Sequence, residues 1–132
     1  MIIDTSAIIA ILHDEPDAFV FARAIADATS RRVSAVNFVE SAVVIDASHD
    51  PIATRRFDDF VKEANFSIEP VTSEQAQIAR AAYRDFGKGS GHPAKLNFGD
   101  CFAYALSKTL AEPLLFKGND FAHTDIIPTL QT

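Results

Sequence analysis

The feature that most constrains this chain is an alternation: short apolar runs are separated by longer segments whose apolar side chains recur at helical spacing. Strands of that length joined by helical crossovers make an α/β protein with a parallel sheet covered on both faces, because right-handed crossovers place helices on either side. Read in order, Met1 to Asp4 is a strand, followed by a helix through Ala7, Ile8, Ile11 and Leu12. A second helix runs from about Pro16 to Ala28 with Phe19, Ala22, Ile25 and Ala26 on one face. Arg32 to Ala35 is the second strand. A third helix carries Val36, Val39 and Val43 on its apolar stripe, and a fourth begins near Pro51 with Phe57, Phe60 and Val61 inward. Ile68 to Val71 is the third strand, and Ser73 caps a fifth helix that buries Ala76, Ala79 and Tyr83 and ends at Gly87. Gly87 to Pro93 has only turn chemistry and reads as an exposed loop. A sixth helix follows from Asp100 with Phe102, Ala105, Leu106 and Leu110 inward. Pro113 to Phe116 is the fourth strand, Asn119 to Ala122 a single helical turn, and Ile126 and Ile127 a last edge strand.

The 132 residues, 48% hydrophobic and 23% charged, suit one domain spanning 1–132 with a real core. Cys101 is the only cysteine, which excludes an intrachain disulfide scaffold or a Cys-rich zinc site and makes the reducing cytoplasm the natural home. No secretory leader is legible at the start, and no apolar stretch is long enough to span a bilayer. A net charge of −6 argues against coating nucleic acid through bulk charge, yet leaves open an enzyme that acts on nucleic acid through metal ions.

In a parallel α/β sheet, ligands bind beyond the carboxyl ends of the strands. Four acids fall there: Asp4 after the first strand, Glu40 about one turn into the helix after the second, Asp100 at the start of the sixth helix and Asp120 after the fourth strand. Taken singly, Asp4 can cap its helix, Asp100 can cap or sit in a first turn, and Asp120 can belong to an Asn-Asp turn. Glu40, beside Val39 at the edge of an apolar stripe, is harder to assign to surface duty. Carboxylates converging on one rim repel one another and call for a cation. An all-oxygen donor set selects a hard ion such as Mg²⁺ or Mn²⁺.

Other residues point elsewhere. Asp14, Glu15 and Asp17 cluster at a helix start, where the dipole favours negative charge. Asp58, Asp59 and Glu63 share a solvated helical face with Arg55, Arg56 and Lys62. The histidines at 13, 49, 92 and 123 lack metal spacing and acid-base partners, so histidine-driven RNA cleavage is unsupported. Cys101 reads as a small core residue, and Gly87, Gly89 and Gly91 do not have the spacing of a phosphate-binding loop.

With Asp4-Thr5-Ser6, Glu40 in the second crossover helix, Asn97-Phe98-Gly99-Asp100-Cys101 and Phe116-Lys117-Gly118-Asn119-Asp120-Phe121, the chain resembles PIN-domain ribonucleases. More narrowly, it resembles the VapC toxins of bacterial type II toxin-antitoxin pairs. The likeness covers nearly the whole chain and is most specific from Gly87 to Ile127. It implies a three-layer α/β/α PIN-like domain with a short parallel sheet of four to five strands, and a metal-dependent endoribonuclease using Mg²⁺, or Mn²⁺ in its place. The family's acidic quartet falls on Asp4, Glu40, Asp100 and Asp120 as catalytic and metal-binding residues, with Ser6 auxiliary and Asn119 and Asp125 as further members. The resemblance also implies a cognate VapB-like antitoxin, a homodimer in the cytoplasm, and an RNA substrate, with transfer RNA one candidate. Divalent ions held by such carboxylates lower the pKa of water and stabilise the leaving oxygen of a phosphodiester, so the expected products are a 5′-phosphate and a 3′-hydroxyl.

Residues 80 to 95 hold Arg80, Arg84, Lys88 and Lys95 against Asp85 alone, a local basic strip in an acidic chain. Arg84, Lys88 and Lys95 are candidate RNA contacts, with an ordinary solubilising helix face as the other reading. Two further functions fit the sequence. A phosphoacceptor receiver domain also gathers carboxylates at strand ends and uses a late Lys, here Lys117, but wants an acidic pair where Asp4 is followed by Thr5-Ser6. The other is a non-catalytic PIN-like interaction module.

Overall fold

The computed structural model describes residues 1–130. The observed elements are β1 Ile2–Ile3, α1 Thr5–Leu12, α2 Ala18–Asp27, β2 Arg32–Ser34, α3 Ala35–Asp46, α4 Pro51–Glu63, β3 Ser67–Glu69, α5 Ser73–Phe86, α6 Phe98–Leu110 and β4 Leu114–Leu115, followed by a 3₁₀ turn at Phe121–His123. All pairings are parallel, in the order β3-β2-β1-β4. Ile2 lies opposite Leu114 and Ile3 opposite Leu115.

Side chains alternate across a strand, so the two residues of β1 feed different layers. Ile2 and Leu114 pack with Ala79, Ala82, Leu96, Ala105 and Leu106 under α5 and α6. Ile3, Leu115 and Val33 pack on the opposite face with Ala7, Ile8, Phe21, Ile45 and Phe57 from α1 to α4. The result is the expected three-layer α/β/α arrangement. The first crossovers build outward from β1 to β2 and β3, whereas β4 returns to the other side of β1. Strand order therefore switches direction between β1 and β4, and in parallel α/β sheets ligands bind beyond the carboxyl ends of strands at such a switch.

Several local expectations are corrected. The buried residues of α3 are Asn37, Ser41 and Ile45, while Val39 and Val43 are 56% and 61% exposed. Polar side chains go inward there because they find partners: Ser41 Oγ donates to the Asn37 carbonyl (2.8 Å) and Asn37 Nδ2 to the Gly99 carbonyl (3.1 Å). In α2, Phe21 and Ile25 are buried, whereas Phe19 and Ala26 face solvent. In α5, Gln75, Ala79 and Ala82 are buried in place of Ala76 and Tyr83, and Thr72, one residue before the expected Ser73, supplies the cap. Leu110 is exposed where α6 ends at a left-handed Ala111. β3 starts one residue and ends two residues earlier than expected.

The loop after α5 is anchored at both ends. Gly87, Ala94 and Leu96 are buried, and Lys88 N–H donates to Leu96 O (2.8 Å) while Leu96 N–H donates to Phe86 O (2.9 Å). The expected last strand is a single bridge from Pro128 to Leu114. Ile127 O and Thr129 N–H flank the proline, which has no N–H of its own to offer. Among the described residues, no helix is long and apolar enough to cross a membrane.

Candidate active site

Asp4 is the residue where β1 becomes α1. Its N–H donates to Leu115 O (2.9 Å), continuing the sheet ladder, and its Oδ2 caps α1 by accepting from Ser6 N–H (3.0 Å) and Ser6 Oγ (2.6 Å). Ser6 Oγ in turn accepts from the Lys117 N–H (2.9 Å), so it ties the loop after β4 to this cap. The other oxygen of Asp4, Oδ1, is enclosed and has no hydrogen-bond partner. Asp4 is only 2% exposed. Burial, reinforced by the charge of Glu40 and opposed by the Ser6 hydrogen bonds, pushes its pKa up to about 6. The capping reading and the site reading of Asp4 thus both hold, one for each oxygen.

Asp100 stands in the first turn of α6, inside a capping box. Asn97 Oδ1 accepts from Asp100 N–H (2.8 Å), and Asp100 Oδ2 accepts from Asn97 N–H (3.0 Å). It is 8% exposed. Burial raises its pKa to about 7, with the charges of Asp4, Asp120 and Glu40 pushing the same way against the Asn97 amide. Asp120 lies exposed at the start of the 3₁₀ turn and makes no capping bond.

Glu40, half-buried on α3, is held by neighbours from two other helices. Thr5 Oγ1 donates to its Oε1 (2.5 Å), and Asn37 Nδ2 lies 3.4 Å from the same oxygen. Its carboxylate rests on Gly99: a Cβ built there would come within 2.2 Å of Glu40 Oε2 and 2.5 Å of Oε1. A side chain at this position would have to push the Glu40 carboxylate aside.

The structure therefore brings Asp4, Glu40, Asp100 and Asp120 to one rim, electrostatically coupled. None of the four forms a salt bridge with Lys or Arg among the described residues. Nor are any three acid, His or Cys side chains among the described residues drawn into a closed ligand cluster. Mutual repulsion keeps such carboxylates apart until a cation offsets it. Enclosed Asp4 Oδ1 with nothing to bind and an all-oxygen donor set fit a hard divalent ion.

The remaining candidates divide. Asn119 is exposed next to Asp120. Asp125 has other partners, accepting from Tyr104 Oη (2.8 Å) and Lys108 Nζ (2.7 Å). The Lys108 ammonium, against partial burial, holds its carboxyl below the ordinary range. Arg84 is engaged by Asp85 at 2.9 and 3.2 Å, while Lys88 and Lys95 stand exposed without a carboxylate partner among the described residues. Glu15 and Asp17 do more than decorate a helix start, since they grip Lys117 Nζ at 2.8 and 3.1 Å. Lys117 is thus occupied, which removes the late lysine on which the receiver reading leaned. Cys101 is buried, and burial beside Asp100 pushes its thiol up to about 11, the mark of an inert core residue.

Sequence reasoning missed the contributions of Thr5, Asn37 and Gly99. Thr5 and Asn37 carry no local signal, since their partners lie far along the chain. The Asn97-x-x-Asp100 spacing of a capping box was readable.

Known proteins share the fold that carries this rim. The PIN domain family profile matches residues 1–127. Ribonuclease VapC28 of Mycobacterium tuberculosis is 58% identical over 126 residues, covering 96% of this chain and 95% of that protein. Ribonuclease VapC42 of the same species is 45% identical over 128 residues, covering 97% and 98%. Among solved structures, a toxin-antitoxin complex from Klebsiella pneumoniae superposes with a TM-score of 0.73 at 16% identity, covering 99% of this chain and 98% of that one. FitAcB from Neisseria gonorrhoeae superposes at 0.72 with 18% identity, covering 96% and 94%. At such identities the superpositions show the shared fold. With the profile spanning the chain from its first strand past the 3₁₀ turn and relatives this similar over nearly its full length, the chain belongs to the PIN-domain family, in its VapC branch.

Proposed function

We propose that this protein is the toxin of a VapBC-type pair, an endoribonuclease that hydrolyses RNA phosphodiesters with Mg²⁺ or Mn²⁺. The observation that carries the reading is the rim itself: Asp4 and Asp100 are buried, unpaired with any cation, and placed where strand order reverses. The relatives named ribonucleases support the RNA-cleaving part. Asp4, through Oδ1, and Asp100 would be the central metal ligands, with Glu40 and Asp120 completing the set directly or through water. Divalent ions bound there supply an acidified water and neutralise the leaving oxygen. The chain's own residues orient this chemistry. Ser6 fixes one Asp4 oxygen and leaves the other without a hydrogen-bond partner among the described residues, Asn97 fixes one Asp100 oxygen, and Gly99 leaves space for Glu40. Arg84, Lys88 and Lys95 steer phosphates toward the rim.

A cytoplasmic homodimer and an antitoxin segment over the rim complete the proposal. The exposed side chains of Val39 and Val43, on the helix of Glu40, and of Phe98, two residues before Asp100, offer apolar contact for such a partner. The test is to incubate the purified chain with structured RNAs, transfer RNA included, in Mg²⁺ or Mn²⁺, with EDTA and Asp100→Asn controls. Cuts that leave a 5′-phosphate and a 3′-hydroxyl and vanish in both controls are expected. A 2′,3′-cyclic phosphate end would refute water as the attacking group. Uncut RNA with a folded, metal-binding chain would favour an interaction module.

A further inference from the structure

Asn37 lies where three helices meet, and nothing in the acidic quartet accounts for it. It is fully buried. Its Nδ2 is within hydrogen-bond distance of Gly99 O in α6 (3.1 Å), Thr5 Oγ1 in α1 (3.3 Å) and Glu40 Oε1 in its own helix (3.4 Å). These are the helices opened by Asp4, bearing Glu40 and bearing Asp100 in its first turn. Its other amide atom, Oδ1, is buried without a partner, so the residue is not there to satisfy itself. A buried amide left half unsatisfied is costly, and an apolar side chain would fill the space more cheaply if packing were the only demand.

The donors fix a direction. Thr5 has one hydroxyl proton, and the short contact to Glu40 Oε1 takes it. That leaves Thr5 Oγ1 as an acceptor for Asn37. The chain of donation therefore runs from Asn37 to Thr5 to Glu40, with Asn37 also anchored on the Gly99 carbonyl. The Thr5 bond lands on Oε1, the same oxygen that lies 3.4 Å from Asn37 Nδ2, and Glu40 Oε2 has no donor among the described residues. Gly99 lies beneath both oxygens, where any added side chain would meet the carboxylate.

We infer that Asn37 is a positioning residue: with Thr5 as its relay and Gly99 as its anchor, it holds Glu40 so that Oε2 alone is presented to a divalent ion at the rim. The inference rests on the metal reading above, and it assigns to Glu40 a single-oxygen role that the quartet does not specify. Groups that orient a ligating carboxylate in this way typically change metal affinity by about 10- to 100-fold when removed.

The experiment is Mn²⁺ titration by calorimetry, with thermal melts in EDTA recorded alongside to show that each variant folds. Wild type, Asn37→Ala, Asn37→Ser, Thr5→Val, Thr5→Ser and Glu40→Gln are compared, together with the Asn37→Ala/Glu40→Gln pair. Asn37→Ala and Thr5→Val are expected to weaken Mn²⁺ binding by about 10-fold, and Thr5→Ser, which keeps the hydroxyl, to restore it. The double variant is expected to bind no more weakly than Glu40→Gln, because Asn37 acts only through that carboxylate. If Asn37→Ala does not fold, Asn37→Ser and Thr5→Val give the same reading. Wild-type affinity in folded Asn37 and Thr5 variants, or a loss that adds to that of Glu40→Gln, overturns the inference while leaving the metal site standing. A wild-type chain that binds no Mn²⁺ overturns both.

Discussion

At the amino-terminal end of the sheet, Glu112 accepts from the Met1 amine at 2.6 Å and from Arg32 Nε at 2.9 Å, and the same guanidinium extends along the strands to Glu69, the last residue of β3, at 3.0 Å. At the carboxyl-terminal end, Asp4, Glu40, Asp100 and Asp120 share a rim with no basic side chain among the described residues paired to any of them. One end spends its acids on holding strands together. The other keeps them unneutralised, at a cost to folding, which is what a site for a cation requires. The two ends also answer pH with opposite sign. Although partial burial pushes Glu112 up, the Met1 amine and Arg32 outweigh it and hold the group below its ordinary 4.5, so its contribution is present above that value and fades as pH falls. Asp4 and Asp100 are raised to about 6 and about 7 from an ordinary 3.8. The native state keeps their protons when the unfolded chain has lost them, so stability is greatest at low pH and is lost as pH rises through the raised values.

The sharpest way to break this contrast is Asp100→Asn. RNA cleavage should fall on the order of 1000-fold, while the melting temperature in EDTA at pH 8 rises, because a buried charge has been removed from among its like. A variant that loses both activity and stability would show that Asp100 supports the fold and not a cation. Next in size is the pH response of the unaltered chain. Urea unfolding in EDTA should show stability falling by on the order of 3 kcal/mol between pH 5 and pH 8, and saturating Mg²⁺ should remove most of that fall. A flat profile without metal would mean the acids are not mutually frustrated. At the other end, Glu112→Gln should cost about 1 kcal/mol in urea unfolding and leave cleavage unchanged, since these pairs are partly exposed and remote from the rim. Smallest is the joint reversal Lys88→Glu and Lys95→Glu. It should weaken RNA binding several-fold at low salt and much less at high salt, as read by filter binding, whereas salt-independent affinity would return both lysines to ordinary surface.

How much of this was legible in the sequence depends on how local the cause is. The alternation of runs placed every strand and helix to within a few residues, because strand and helix periods are properties of neighbours in the chain. Orientation of α3 was not legible. Val36, Val39 and Val43 look like a buried stripe until one knows that Asn37 and Ser41 have polar partners waiting inside. The same holds for Gln75 on α5, which displaces Tyr83 from the core by a rotation of about one residue. At the rim, the four acids could be read from motif and position. Their supports could not: Thr5 and Asn37 are 32 residues apart, and Asn37 meets Gly99 across 62. The burial of Gly99 beneath a carboxylate leaves no trace in local propensity at all.

Asp4 is at once the end of the central strand, the cap of the first helix and the holder of a carboxylate oxygen with no hydrogen-bond partner among the described residues. Fusing these duties in one residue removes a degree of freedom that many regulated proteins exploit. A site on a separate loop can be switched by local opening while the rest stays folded. Here, the carboxylate is anchored where α1 meets the sheet, with its backbone in the ladder and one oxygen on the helix cap. Under the proposed function, restraint would then come from outside, from a partner that covers the rim.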